Sequence, residues 1–128
     1  MANQIVESTF PQLTVAGVTS SIEVSGILWH TFQVKLAAVD TNVIVGIEGS
    51  LDDTNFFEIP LPDQNDVVAV GVTGTTFSKS RVTITANGTY CLTAGKIPVK
   101  FVRFNFRSES GGTAATLDVK YYGVTWSS

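Results

Sequence analysis

Apolar and polar side chains alternate with a period of two along most of the chain, the pattern of strands with one buried face. The clearest run puts one set of side chains on one face: Leu28, His30, Phe32, Val34 and Leu36. The opposite face of that run carries Trp29, Thr31, Gln33 and Lys35. No stretch keeps a helical period for three turns, so the pattern predicts an all-β protein.

The same alternation recurs in short runs across the rest of the chain, at residues 22–24, 43–47, 56–59, 82–85, 90–92, 99–107 and 114–124. The Asn87-Gly88 pair is typical of a two-residue hairpin, and it predicts that residues 82–85 pair with 90–92. Gly111-Gly112 likewise predicts antiparallel pairing of 99–107 with 114–124. Eight or nine short strands at this spacing indicate a two-sheet antiparallel sandwich of jelly-roll type. Residues 1–128 form one domain, in which residues 1–11 are an N-terminal arm or an edge strand.

The amino-acid composition supports the prediction of β-strands and indicates in which compartment the protein is made. Val, Thr and Ile make up 41 of the 128 residues, and branching at Cβ favours the extended backbone. The single Cys91 excludes an internal disulfide and a zinc site built from paired cysteines. No apolar run approaches the ~20 residues of a membrane span, and Met1-Ala2-Asn3-Gln4 does not open a secretory signal. We therefore expect a protein without a membrane partner, made and folded in a cytosol.

Charge is unevenly distributed along the chain, whose net charge is −3. Residues 1–66 carry nine acids and one base, and residues 67–128 carry seven bases and two acids. Two explanations remain open. The halves meet and offset each other inside one sandwich, or neighbouring copies are complementary head to tail. A sequence pI near 4.9 argues against a nucleic-acid partner.

Candidate chemistry is sparse, and the sequence predicts no catalytic residue, cofactor or metal site. His30 lies in phase with Leu28 and Phe32 without a nucleophile motif, and it is expected to be a core histidine bonded to nearby backbone. Cys91 is expected to be a packed or half-exposed thiol. The acidic loops 52–55 and 63–66 have oxygen ligands that suit calcium, but turns favour the same residues. Glu48 and Glu58 flank one loop, yet no aromatic sugar cleft accompanies them. We therefore expect a protein that is not an enzyme.

Aromatic residues that fall outside the core phase are the best candidates for an interface. Large aromatic side chains at exposed positions are enriched where proteins meet. Burial of both strand faces by arms and loops is the alternative explanation. The predicted interface residues are Phe10 in the N-terminal arm together with Trp29, Phe101, Tyr122 and Trp126.

Two segments carry a resemblance to a known class of proteins. They are residues 45–57, of the form V-x-I-E-G-S-x-D-x-x-N-F, and residues 100–106, Lys-Phe-Val-Arg-Phe-Asn-Phe, followed by a Gly-Thr-rich turn. Together they resemble small β-sandwich proteins encoded in the structural gene clusters of tailed phages, including capsid decoration (cement) proteins. The first segment is also similar to discoidin-like and galactose-binding-like sandwiches.

The phage resemblance implies a virion protein that binds the major capsid protein and copies of itself. It implies a homotrimer or other oligomer that bridges neighbouring capsid subunits and stabilises the assembled lattice. The second resemblance implies the alternative, a carbohydrate-binding module, in which the loops near Asp52 and Asp63 form the rim. Neither resemblance transfers a specific site residue to this chain.

Overall fold

The computed structural model describes residues 4–62 and 78–125, which form strands joined by turns. Twelve strands lie within these residues: β1 (Ile5–Thr9), β2 (Gly17–Val18), β3 (Ile22–Glu23), β4 (Trp29–Ala37), β5 (Asn42–Ser50), β6 (Phe56–Glu58), β7 (Leu61–Pro62), β8 (Ser78–Lys79), β9 (Val82–Ile84), β10 (Gly88–Gly95), β11 (Phe101–Ser110) and β12 (Thr116–Val124). No helix in the described ranges is long and apolar enough to cross a membrane. The all-β prediction is confirmed.

The strands form two antiparallel sheets that pack face to face. Sheet A has the order β1-β12-β4-β10, and sheet B has the order β2-β11-β5-β6, with β3 also paired to β11 and β9 also paired to β5. β7 and β8 pair separately. β2 and β3 both pair with β11, and β6 and β9 both pair with β5, so each of the two sheets has four strand positions. The order of these eight positions is that of a jelly roll. The predicted sandwich is therefore confirmed. The structure has more strands than the eight or nine predicted because several strands are only two or three residues long. Such strands are too short to show an alternation of apolar and polar residues in the sequence.

Phe32 lies at the centre of the core between the two sheets and is fully buried. Its ring centroid lies 5.0 Å from that of Tyr121 in sheet A and 5.9 Å from that of Phe104 in sheet B. The other inward-facing residues of β4, Val34 and Leu36, are also buried. The alternation in the sequence thus identifies the inner face of each long strand correctly, because a pleated strand turns every second side chain toward the opposite sheet.

Both hairpins predicted from glycine-containing turns are wrong. β9 pairs with β5 in sheet B, whereas β10 pairs with β4 in sheet A, so Asn87-Gly88 carries the chain from one sheet to the other. Asn87 does not adopt positive φ, and its Oδ1 accepts the backbone N–H of Val39 at 2.9 Å. Likewise β11 and β12 belong to different sheets, and Gly111-Gly112 connects strands that face each other across the core. In a jelly roll, successive long strands alternate between sheets, which a pattern of local turns does not reveal.

The N-terminal segment is integrated into sheet A. β1 pairs with β12 from Ile5 opposite Val124 to Thr9 opposite Lys120, so these residues follow the edge-strand alternative. The pairing continues where the Phe10 N–H donates to the Val119 carbonyl at 3.0 Å. The first and last strands of the described chain are therefore neighbours at one side of the sheet.

Candidate interaction surface

The outer face of sheet A presents its side chains in rows that run across the four strands. One row consists of Ile5, Val124, Trp29 and Gly95, each directly opposite the next in the register of β1, β12, β4 and β10. Ile5 is 50% exposed, and Val124 and Trp29 are half-buried. In the adjacent row Tyr122 is 44% exposed. These apolar side chains form a continuous patch, which we call the sheet A patch: Ile5, Trp29, Tyr122 and Val124.

Gly95 permits the position of the Trp29 ring within this patch. A Cβ atom on Gly95 would collide with three carbon atoms of the six-membered ring of Trp29. The ring therefore crosses the backbone of β10 at the one position in the row that has no side chain. This contact explains why Trp29 is half-buried although its side chain points away from the core.

The remainder of the outer face carries ionisable groups of both signs. Glu7, Asp118, Lys35 and Lys120 are all exposed there. Asp118 lies opposite Lys35 in the register of β12 and β4. Two acids and two bases give this face no net charge, in contrast with the net charge of −3 for the whole chain.

The five predicted interface residues do not lie together. Trp29 and Tyr122 share the sheet A patch, whereas Phe101 is half-buried on the outer face of sheet B, opposite Glu23 and Ser50. Trp126 lies outside the described residues.

Phe10 is a core residue and not a surface residue. It is only 7% exposed, and its ring stacks on that of Phe32 with centroids 6.4 Å apart. A side chain with so little accessible surface offers almost nothing to a partner, so the expectation that Phe10 forms interface contacts is corrected. The reason is that the chain from β1 continues along β12, which turns Phe10 inward.

Two residues of the patch, Ile5 and Val124, were missed in the sequence. Val124 is in phase with Tyr122 along β12, so the alternation contained a signal for it. Ile5 joins the patch only because β1 pairs with β12, a contact between strands at opposite ends of the chain that local patterns do not encode.

The outer face of sheet B carries an ion-pair network instead of an apolar patch. The Nε–H of Arg103 donates to Glu48 Oε1 at 2.7 Å, and its guanidinium carbon lies 3.7 Å from the ring centroid of Phe56. Asn105 Nδ2 donates to the other oxygen of Glu48 at 2.8 Å. Since the acid belongs to the first half of the chain and the base to the second, the unequal charges of the two halves are partly offset within the molecule.

Glu58 lies opposite Glu48 in the pairing of β5 with β6. The two residues flank one loop in the sequence, and the strands on either side of that loop bring them together. Arg81 binds Glu58 through two N–H groups, at 2.9 and 3.3 Å, and Arg107 Nη1 lies 3.5 Å from Glu58 Oε1. The hydrogen bond from Arg81 is the largest cause that lowers the pKa of Glu58. A general acid of glycoside hydrolysis needs a raised pKa, so this environment has the opposite effect.

The acidic loop at residues 52–55 satisfies its own hydrogen bonds. Asp52 Oδ1 accepts the N–H groups of Thr54 and Asn55 at 2.9 and 2.8 Å, and Asn55 Nδ2 donates to Oδ2 at 2.8 Å. These bonds, led by the backbone bond from Asn55, strongly lower the pKa of Asp52. Within residues 4–62 and 78–125 no three His, Cys, Asp or Glu side chains converge to hold a metal ion. The second predicted acidic loop, 63–66, lies outside the described residues.

His30 is completely buried between β12 and the connection after β10. Its Nε2–H donates to the Ile97 carbonyl at 3.0 Å, since a carbonyl can only accept. Nδ1 is therefore unprotonated and accepts the hydroxyl of Tyr121 at 2.6 Å. Burial lowers the pKa of His30, opposed by its backbone bond to Ile97, and burial raises that of Tyr121. The expected core histidine is found here, with a tyrosine partner that the sequence did not indicate.

Cys91 is exposed on the outer face of sheet A.

Comparison with known proteins identifies the fold but no family. No protein-family model and no curated protein sequence matches the chain. The crystal structure of the SPBc2 prophage-derived protein YomS is similar at a TM-score of 0.62 and 13% identity, over 97% of this chain and 96% of YomS.

Two other solved structures are more distant. A protein of the disulfide-linked pili of Bacillus endospore appendages gives a TM-score of 0.39 at 13% identity, over 96% of this chain and 82% of that one. The coat protein of Tobacco streak virus gives 0.37 at 8% identity, over 97% and 86%. At such scores the likeness is not evidence of a shared fold. The chain is thus similar in fold, along nearly its whole length, to the prophage-derived protein YomS.

Proposed function

We propose that this chain is a structural protein of a tailed-phage particle, and that it decorates the capsid by bridging neighbouring major capsid proteins. The observation that carries this proposal is that exposed apolar side chains lie at both edges of sheet B. Val18 on β2 is 45% exposed, and Phe57 on β6 is 48% exposed, next to Leu51 at 59%. A protein that bridges two neighbours needs contacts on two sides, and exposed apolar groups at separate places supply them.

The fold likeness to a prophage-derived protein supports a phage origin, because the similarity extends over nearly all of both chains. The resemblance of residues 45–57 and 100–106 to phage decoration proteins points in the same direction. In this proposal the protein acts by binding and catalyses no reaction. The described carboxylates Glu48 and Glu58 already bind arginines, and His30 is enclosed in the core.

Decoration stabilises a capsid by mass action. A protein that binds the assembled lattice and not the free subunits lowers the free energy of the lattice by RT ln(1 + [L]/Kd) for each occupied site, about 2.7 kcal/mol at a concentration of 100 Kd. Repeated sites on the lattice add avidity when one molecule touches two subunits. Weak individual contacts are therefore sufficient.

Co-sedimentation tests the proposal. The purified chain is mixed with empty capsids assembled from the major capsid protein of the genome that encodes it. We expect it to sediment with them at a fixed stoichiometry and to raise their thermal transition. Phe57→Ser is expected to weaken binding, whereas Thr89→Ser, at an exposed position in β10, is the control. A chain that stays in the supernatant and leaves the capsid transition unchanged contradicts decoration.

A second candidate function is carbohydrate binding, favoured by the Trp29 ring, which lies across β10 on the same outer face as Tyr122. Aromatic rings on an open face pack against the apolar faces of sugar rings. Glycan-array binding that is lost in Trp29→Ala and kept in Phe101→Ala would favour this function. Phe101 is a suitable control because it is also half-buried but lies on the other sheet.

A further inference from the structure

The outer face of sheet A has the properties of a self-complementary surface. Its apolar groups lie at one end of the face, in the row that contains Ile5, Val124 and Trp29. Of its charged groups, Glu7 lies beside this row, opposite Tyr122, and the others lie farther along the strands, where Asp118 is opposite Lys35. With two acids and two bases exposed on the face, a second copy brought against it meets no net repulsion.

We propose that two copies of this chain stack through the outer faces of their A sheets, about a two-fold axis that runs parallel to the strands between β12 and β4. This axis passes through the middle of the sheet, whose order is β1-β12-β4-β10. It places β12 of each copy over β4 of the other and β1 over β10. Packed sheets keep their strands within about 30° of parallel and lie about 10 Å apart, which this arrangement allows.

The register of the sheet determines which side chains meet in this stack. Trp29 of one copy faces Val124 of the partner subunit, because the two residues are opposite each other in β4 and β12. For the same reason Lys35 faces Asp118 of the partner subunit, and Ile5 faces Gly95 of the partner subunit. The apolar rows therefore cover each other, Lys35 and Asp118 each meet the opposite charge of the partner subunit, and Lys120 faces Gln33 of the partner subunit.

Other two-fold axes lack this complementarity. An axis along β12 places Lys120 over Lys120 of the partner subunit, and an axis along β4 does the same for Lys35. An axis perpendicular to the strands, across the middle of the face, moves the apolar row away from its counterpart and leaves Trp29 uncovered. The axis between β12 and β4 covers all four strand positions of the apolar row and opposes no like charges.

The size of the face is sufficient for a specific contact. Strands of five, nine, nine and eight residues, about 4.8 Å apart and rising about 3.4 Å per residue, give a face of about 500 Å². Two copies bury about 1,000 Å² in total, which is about the smallest area expected of a biological interface. A two-fold stack gives a dimer, in contrast to the trimer implied by the phage resemblance, and it leaves both edges of sheet B open.

A charge-exchange experiment tests the stack. The central contact of the stack is the one between Lys35 and Asp118 of the partner subunit, and it occurs twice in the dimer. Lys35→Asp leaves two acids at each central contact, and Asp118→Lys leaves two bases. Each variant alone is therefore expected to raise the dimer dissociation constant at least tenfold. An equimolar mixture is expected to associate again, because each central contact then joins an acid to a base. Sedimentation velocity measures the association, and native mass spectrometry identifies dimers with one copy of each variant. Lys100→Asp, an exposed residue between β10 and β11, makes the same charge change elsewhere and is expected to keep the wild-type constant.

Mixing separates this proposal from an effect within one molecule. Asp118 and Lys35 are also neighbours within each sheet, so either variant loses that contact in every copy, and mixing does not restore it. Circular dichroism verifies that both variants keep the strand content of the wild type. A wild-type chain that remains monomeric over a 100-fold range of protein concentration overturns the proposal. A mixture of the two variants that fails to associate overturns it as well. The measurement needs no capsid, so its result is independent of decoration.

Discussion

Acidification is expected to weaken the fold through His30, because the buried ring holds its neutral form. In the unfolded chain this histidine has an ordinary pKa near 6.5, and in the folded chain burial lowers the pKa. Protonation of Nδ1 would remove the acceptor for the Tyr121 hydroxyl and place a charge in the core. The described side chain that contacts the ring through a hydrogen bond is this tyrosine, which carries no negative charge at neutral pH and cannot compensate.

The sign and size of this effect of pH on stability follow from proton linkage. A group whose pKa is lower in the folded state contributes its full stability above pH 6.5, and the unfolded state gains from protonation as the pH falls below that value. The free energy of unfolding then decreases by up to about 1.4 kcal/mol per pH unit until the pH reaches the pKa of the folded state. The width of this window measures how far the pKa is lowered.

Urea unfolding at 25 °C, followed by tryptophan fluorescence from pH 8 to pH 5, measures the effect. His30→Gln is the matched variant, because an amide can donate to Ile97 and accept from Tyr121 but does not titrate in this range. We expect the variant to be less stable at pH 8 and the difference from wild type to narrow below pH 6.5. Parallel curves for the two proteins across this range would refute the reasoning. Tyr121→Phe, which leaves Nδ1 without its donor, is expected to cost about 1–3 kcal/mol at pH 8.

Three further substitutions test the packing. Phe32→Ala removes the ring at the centre of the core and is expected to cost about 3–5 kcal/mol in urea unfolding, and a cost below 1 kcal/mol would contradict its central position. Arg103→Ala leaves Glu48, whose side chain is only 12% exposed, with less compensation, and we expect a loss of about 1–3 kcal/mol that shrinks when Glu48→Gln is added. Gly95→Ala forces the Trp29 ring off β10, so we expect a tryptophan emission shift to longer wavelength, and an unchanged spectrum would contradict the contact.

Alternation of side chains predicted the inner faces of the long strands because burial on one face constrains each strand locally. Val102, Phe104 and Phe106 are all fully buried, as their spacing indicates. The same alternation could not distinguish strands that pair edge to edge from strands that face each other across the core. Both arrangements turn alternate residues of β11 and β12 inward, and the glycines between them fit a hairpin or a crossing equally well.

Prediction of the surface was limited by the same lack of long-range information. Trp29 and Tyr122 were recognised as out of phase with the core, which needs only local sequence. Their grouping with Ile5 depends on the pairing of β1 with β12. Phe10 was misassigned because Pro11 was taken to end the first strand as an arm, whereas the pairing with β12 continues at Phe10 and its ring stacks on Phe32.

The pairing of β1 with β12 also has a consequence for the order of events during synthesis. A ribosome that has made β1 through β11 has not yet made the only described strand to which β1 is hydrogen-bonded, and β12 separates β1 from β4 in the sheet. Sheet A can therefore close only after nearly the whole chain has emerged, and until then the edges of β1 and β4 that pair with β12 lack their hydrogen-bonding partner. Loop closure over such a long separation is slow. The nascent chain is consequently expected to depend on chaperones that shield apolar segments, and products truncated before residue 116 are expected to be degraded or to aggregate.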